Sequence, residues 1–114
     1  MTNAELNKAL YQKMFAEQET YREWLLSRPS EEILNHTYEY TVREDILLSM
    51  EYNDLPDAQV KALLKSPSSL ADVFKDWEHK EMGYMEDIWQ TVADRAKSEV
   101  QKQKKKKKNN TDDK

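Results

Sequence analysis

"SEEILNHTYEYTVREDILLSMEYNDLP", residues 30–56, decides the fold. At the 100° step of an α-helix, Leu34, Tyr38, Thr41, Asp45, Leu48 and Tyr52 share one face. Ile33, Tyr40 and Leu47 lie on a second side, and Val42, Ile46 and Met50 on a third. Apolar groups thus point almost all the way round, the pattern of a central helix packed on several sides. The spacing predicts a helix over 31–52, with Ser30 as N-cap, Glu31 and Glu32 in the first turn, and an end at "YNDLP".

Working outward, the 114-residue chain has one glycine and three prolines, so tight β-turns are scarce and the chain reads as all helix. Pro29, Pro56 and Pro67 mark the boundaries. The first helix is expected over 4–27, with Leu6, Leu10, Met14, Tyr21 and Leu25 repeating at helical spacing and Tyr11, Phe15 and Leu26 widening the stripe. A short third helix covers 56–65, with Val60, Leu63 and Leu64 as its apolar side. Ser66 caps the fourth, which carries Leu70, Phe74, Trp77, Tyr84, Ile88 and Val92 and runs to about Val100. Gly83 costs this helix about 1 kcal/mol relative to alanine and marks a bend or a close contact. The fold class is all-α: a compact bundle of three long helices and one short helix, with a basic disordered tail.

One core is affordable at this length, built from aliphatic residues, methionine and eleven aromatics against a charged fraction of 35%. The absence of cysteine excludes disulfides and thiolate chemistry and is compatible with a cytoplasmic setting. "MTNAELNKAL" has no basic segment leading into an apolar run, and no stretch suits a membrane span. Residues 1–96 hold 10 basic against 19 acidic groups, a net −9, whereas residues 97–114 hold 8 against 3, a net +5. The expected organisation is therefore an acidic helical domain over 1–96, then a helix end and lysine-rich tail over 97–114.

Two carboxylates interrupt apolar stripes: Asp45 on the second helix, and Glu81 between Trp77, Tyr84 and Ile88 on the last. An ionised carboxylate without a partner is costly to bury, so both are expected as buried polar groups paired with Arg22, Arg43, Arg95 or a tyrosine hydroxyl. A partner-binding position is the next reading, and a catalytic or metal role the third. Glu39 and Arg43 form a local pair at i, i+4.

Motifs for chemistry are missing. Carboxylate metal bundles need Glu-x-x-His on two helices, and neither His36 nor His79 supplies one. There is no Gly-x-Ser-x-Gly, no glycine-rich phosphate loop and no His-Glu-x-x-His. No catalytic residue, metal or cofactor is expected, and the chain reads as a non-enzyme. Acid-base catalysis by Asp45, Glu81 or a tyrosine is the minor alternative.

Between Glu31 and Asp57 stand eight acidic residues and one basic residue, Arg43. Such a field repels nucleic acid and attracts cationic surfaces, although solubility alone would also explain it. The expected partner is another protein with a cationic surface, met by Glu39, Glu44, Glu51, Asp54 and Asp57 with Tyr40 and Tyr52 as apolar anchors. Direct nucleic-acid binding is disfavoured for the body. The run Lys104 to Lys108 is open to polyanions or anionic membrane surfaces, though it lacks interleaved aromatics and suits a solvated tail. Self-association through the apolar stripes is a further alternative, and the oligomeric state is not legible.

"LYQKMFAEQETYREWLL", "PSEEILNHTYEYTVREDILLSMEYNDLP" and "AQVKALLKSPSSLADVFKDWE" resemble an uncharacterised bacterial helical family, domain of unknown function thirty-eight forty-eight. The resemblance covers about residues 4–96. It implies a helical fold and a setting in the cargo of mobile elements of Gram-positive gut bacteria. It implies no catalytic residues, and the lysine-rich end from Lys97 departs from the shared pattern. Proteins of such elements often inhibit host defences, so the resemblance adds the expectation of an acidic inhibitor of a nucleic-acid defence enzyme.

Overall fold

The Thr2 hydroxyl accepts the backbone N–H of Glu5 at 3.1 Å and caps the first helix, α1 (Asn3–Leu26), in a computed structural model that describes residues 1–80 and 83–112. The helix α2 (Ser30–Glu51) follows Pro29. Ser30 is its first helical residue rather than its N-cap; Pro29 stands at the cap with no side-chain bond, and its carbonyl accepts the Ile33 N–H at 3.1 Å. After Pro56, whose carbonyl accepts the Val60 N–H at 3.1 Å, comes α3 (Asp57–Leu64). The remaining helices are α4 (Ser69–Glu78) and α5 (Tyr84–Asp112). Among the described residues the chain is all-helical, with five helices and no strand.

The expected helix count is corrected at one place. The segment read as a single helix from Pro67 to Val100 is two helices, with α4 closed by the His79 N–H on the Lys75 carbonyl at 3.3 Å. Gly83 lies in a turn directly before α5, and its carbonyl accepts the Asp87 N–H at 2.7 Å. Glycine is the ordinary residue least committed to helix, so the break falls beside it. The chain accordingly divides into two units, Met1–Lys80 and Glu81–Lys114. The second unit is α5, whose backbone stays helical past Lys97 and through the lysine run expected to be disordered.

In the first unit the core is built by all four helices. Leu6, Leu10 and Met14 of α1 meet Leu47 of α2, Val60 of α3 and Leu70 of α4, with Tyr11, Ile46, Met50, Leu55, Leu63, Leu64 and Val73 packed around them. Leu10, Val60 and Leu70 are completely buried. Burying each such aliphatic side chain contributes about 1.5–3 kcal/mol.

The central helix is α1, not α2, because α1 contacts α2, α3 and α4 whereas α2 contacts α1 and α4. The α2 face carrying Leu34, Tyr38, Thr41, Asp45, Leu48 and Tyr52 is exposed along its length. What gives α1 its position is a row of polar side chains that bind backbone in the other segments. Asn7 donates to the Leu55 carbonyl at 3.0 Å and accepts the Leu55 N–H at 2.9 Å, while Asn3 donates to the same carbonyl at 2.9 Å. One turn apart on α1, Lys13 donates to the Leu64 and Ser66 carbonyls at the end of α3, and Glu17 accepts N–H groups at the start of α4. The cation meets a helix C-terminus and the anion an N-terminus, each matched in sign to the helix dipole.

Candidate functional site

Glu17 supplies the cap expected from Ser66. Its two oxygens accept the backbone N–H of Leu70 and of Ala71, each at 2.9 Å, whereas the N-cap residue Ser68 makes no side-chain cap bond. Ser66 instead donates its hydroxyl to Asp72 at 2.6 Å and accepts the Ser68 N–H at 3.1 Å.

Against this cap lies the polar centre of the first unit. Arg43 is buried, with Nη2 2.7 Å from the Glu39 carboxylate, Nη1 3.8 Å from that of Glu17, and the guanidinium carbon 4.2 Å from the Tyr21 ring centre. The adjoining Gln18 is also buried and donates to the Tyr40 carbonyl at 3.2 Å and to Glu44 at 3.0 Å. Its Oε1 and the Tyr21 hydroxyl are buried without a hydrogen-bond partner among the described residues. Burial, then the charge of Glu39, push the Tyr21 hydroxyl up from its ordinary range, partly opposed by Arg43. The cluster ties α1, α2 and α4 together: its carboxylates are engaged by a guanidinium and by backbone donors, which suits a structural strut.

Asp45 is not in this cluster. It is exposed, which corrects the expectation of a buried paired group. Of the expected cations, Arg43 is engaged as above, Arg95 with Glu99 at 2.8 Å, and Arg22 lines the cleft that holds Tyr40. With its face of α2 open to solvent, the carboxylate keeps its hydration and needs no counter-ion. Glu81 lies outside the described residues.

Instead, Asp45 stands on the rim of two clefts. One, of about 220 Å³, is lined by Tyr11, Phe15, Leu47 and Leu48 and edged by Glu44, Asp45 and Glu51. The other, of about 320 Å³, is lined by Val42, Ile46, Ser49 and Trp77 beside Asp45. Phe15 is 46% exposed and Leu48 50%, so the first cleft presents apolar surface among three carboxylates. Glu51 accepts the Tyr11 hydroxyl at 2.9 Å, and this bond, followed by burial, pushes the Tyr11 hydroxyl up. Trp77 donates its indole N–H to the Tyr38 hydroxyl at 3.2 Å and thereby ties α4 to α2 beside the second cleft.

The residues read from sequence as partner-binding are only partly brought together. Glu44 and Glu51 share the first cleft. Glu39 does not join them, because it turns inward to Arg43. Tyr40 is half-buried and lines a separate cleft of about 260 Å³ with Arg22, Leu25, Leu26 and Ile33. Burial, then the charge of Glu44 and a hydrogen bond to it, push the Tyr40 hydroxyl up, with Arg22 acting in the opposite direction. Tyr52, Asp54 and Asp57 are exposed and line none of these clefts, and Asp57 accepts a hydrogen bond from Asn3 at 2.6 Å.

Sequence reasoning missed Phe15 and Trp77 as surface groups, reading both as core, whereas Tyr11 does pack against the core and also reaches the cleft. The available signal was that the first helix offers more apolar positions than one stripe can bury. His36 is half-buried with its ring edge-on to Trp24 at 5.4 Å, and His79 is exposed at the end of α4. Among the described residues no group of three or more His, Asp or Glu is placed to hold a metal ion. None of their helices is long and apolar enough to cross a membrane.

These features define an all-helical protein whose first unit is tied by a buried ion network and carries an acid-rimmed apolar surface. Residues 6–100 match the family described as proteins of unknown function, DUF3848, and the chain belongs to that family. No curated protein and no solved structure matches it.

Proposed function

We propose that this chain is a non-enzymatic protein-binding module that docks through the α1–α2 face. The observation that supports this is the cleft in which Tyr11, Phe15 and Leu48 lie between Glu44, Asp45 and Glu51. Apolar anchors inside a charged rim are what a protein partner requires: the anchors supply affinity by desolvation, and the rim supplies orientation and association rate. The partner presents an apolar side chain bordered by lysines or arginines. In its sharper form the partner is a host nucleic-acid defence enzyme whose phosphate-binding cleft is occluded by this face, as suits cargo of a mobile element.

The test is capture of partners from a host lysate by the wild-type chain, by Phe15→Ser and by the charge reversal Glu44→Lys with Glu51→Lys, each checked by circular dichroism for retained helix. A partner kept by the wild type and lost by both variants is the expected result. Equal capture by all three removes this face from the function. The lysines Lys102, Lys104 and Lys105, exposed on α5, favour a second reading, attachment to polyanions. Removing residues 101–114 abolishes salt-sensitive RNA and DNA binding if that reading holds.

A further inference from the structure

Among the described residues the second unit holds one helix, α5, and no other element of its own with which to cover an apolar side. Yet Met85, Ile88, Trp89, Val92, Ala96 and Val100 fall within an arc of about 120° on it, which also contains Glu99, held by Arg95 at 2.8 Å and Lys102 at 3.8 Å. The stripe is surface: Met85 is 71% exposed and Trp89 68%. It repeats at eleven residues, from Met85 to Ala96 and from Trp89 to Val100, a period that keeps the apolar seam nearly straight along an α-helix and so suits pairing with a second long helix.

The charges beside the stripe select the occupant. Glu86 and Lys97 stand on the same flank, at opposite ends of the apolar run, and both are exposed. Arg95 and Lys102 lie on the other flank, both against Glu99. An anionic lipid surface is a poor match, because Glu86 beside the stripe and Glu99 within its arc would be carried down onto like charge. A uniformly cationic partner is opposed by Arg95, Lys97 and Lys102. What complements an acid-to-base order is the same order reversed.

We propose that α5 pairs with α5 of a second copy of this chain, antiparallel and centred on Val92. In that register Ile88 of each copy faces Ala96 of the other. Equal flanks meet in an antiparallel pair, so Glu86 of each copy lies beside Lys97 of the other, and symmetry makes the contact twice. A parallel pair brings opposite flanks together and sets Lys97 near Lys102 of the second copy, like charge against like. This interface is separate from the α1–α2 docking face and does not depend on it.

The absence of cysteine makes the test clean. Sedimentation equilibrium of the full chain is expected to give a concentration-dependent dimer. Glu86→Lys alone and Lys97→Glu alone each weaken it by about fivefold, and the double exchange restores it. Under oxidation, Ile88→Cys mixed with Ala96→Cys forms the mixed disulfide, while Ile88→Cys alone does not link to itself. A chain that stays monomeric at all concentrations overturns the proposal, whether or not it binds anionic vesicles. Self-linkage of Ile88→Cys overturns it as well, since that contact belongs to a parallel pair.

Discussion

Glu17 and Leu70 lie 53 residues apart in sequence, and the carboxylate of the first accepts the backbone N–H of the second at 2.9 Å. The same carboxylate takes the N–H of Ala71, so the start of α4 is capped from α1 rather than by its own loop. Glu17→Ala is expected to destabilise the first unit by about 2–3 kcal/mol, because two helix donors lose their acceptor and Arg43 loses one of its anions. Glu17→Gln, which keeps one acceptor oxygen, costs less than the alanine variant. Urea unfolding of the three proteins checks the order; equal midpoints for wild type and Glu17→Ala contradict it.

Arg43 is the complementary case. Its side chain is 8% exposed and faces Glu39 and Glu17, whose side chains are 25% and 19% exposed. Removing the guanidinium leaves both carboxylates partly desolvated and Tyr21 without its cation, so Arg43→Ala costs about 2–4 kcal/mol, somewhat less than for a fully buried pair because both anions keep some water. Arg43→Ala and Glu39→Ala are expected to be less than additive when combined. An additive double-mutant cycle would mean that the 2.7 Å contact carries no energy of its own.

Asp45 marks the boundary of what the sequence could tell. Proline positions and helical spacing correctly placed the α1–α2 and α2–α3 junctions, and they picked out Leu6, Leu10, Met14, Val60, Leu70 and Phe74, all of which are buried. These properties are local, written in backbone constraint and period. Which stripe of α2 would be covered is not local. Period shows which residues share a face and says nothing about what lies opposite it, so Asp45 was read as buried on a face that is open. The caps by Lys13 and Glu17 were equally hidden, because they join positions more than 50 residues apart and look like ordinary surface charges on a wheel. Gly83 was visible, but its weight as a helix stop could not be judged against the apolar residues on both sides of it.

Asp45→Ala is therefore expected to change stability by no more than about 0.5 kcal/mol, since the carboxylate is exposed on α2. Its effect should appear in partner binding, where loss of a rim charge slows association at low salt and matters little at high salt. Chemical denaturation together with stopped-flow association separates the two roles. Destabilisation of several kcal/mol would put the side chain back in the interior.

Ionisation of three tyrosines is expected to weaken the first unit in alkali. The hydroxyls of Tyr21 and Tyr40 are pushed above their ordinary value of 10.0 chiefly by burial, and that of Tyr11 chiefly by its bond to Glu51. A raised value in the folded chain means that, above pH 10, the unfolded chain gives up these protons while the folded chain still holds them. Stability is thus fully present below the unfolded value and falls as pH rises through the folded ones. Tyr21→Phe removes one titrating group together with a hydroxyl that is buried without a partner among the described residues. The variant is expected to match or exceed the wild type by up to about 1 kcal/mol at neutral pH and to lose stability less steeply in alkali. Thermal melts from pH 8 to about pH 11 measure both effects, and an unchanged alkaline slope would show that Tyr21 does not contribute to it.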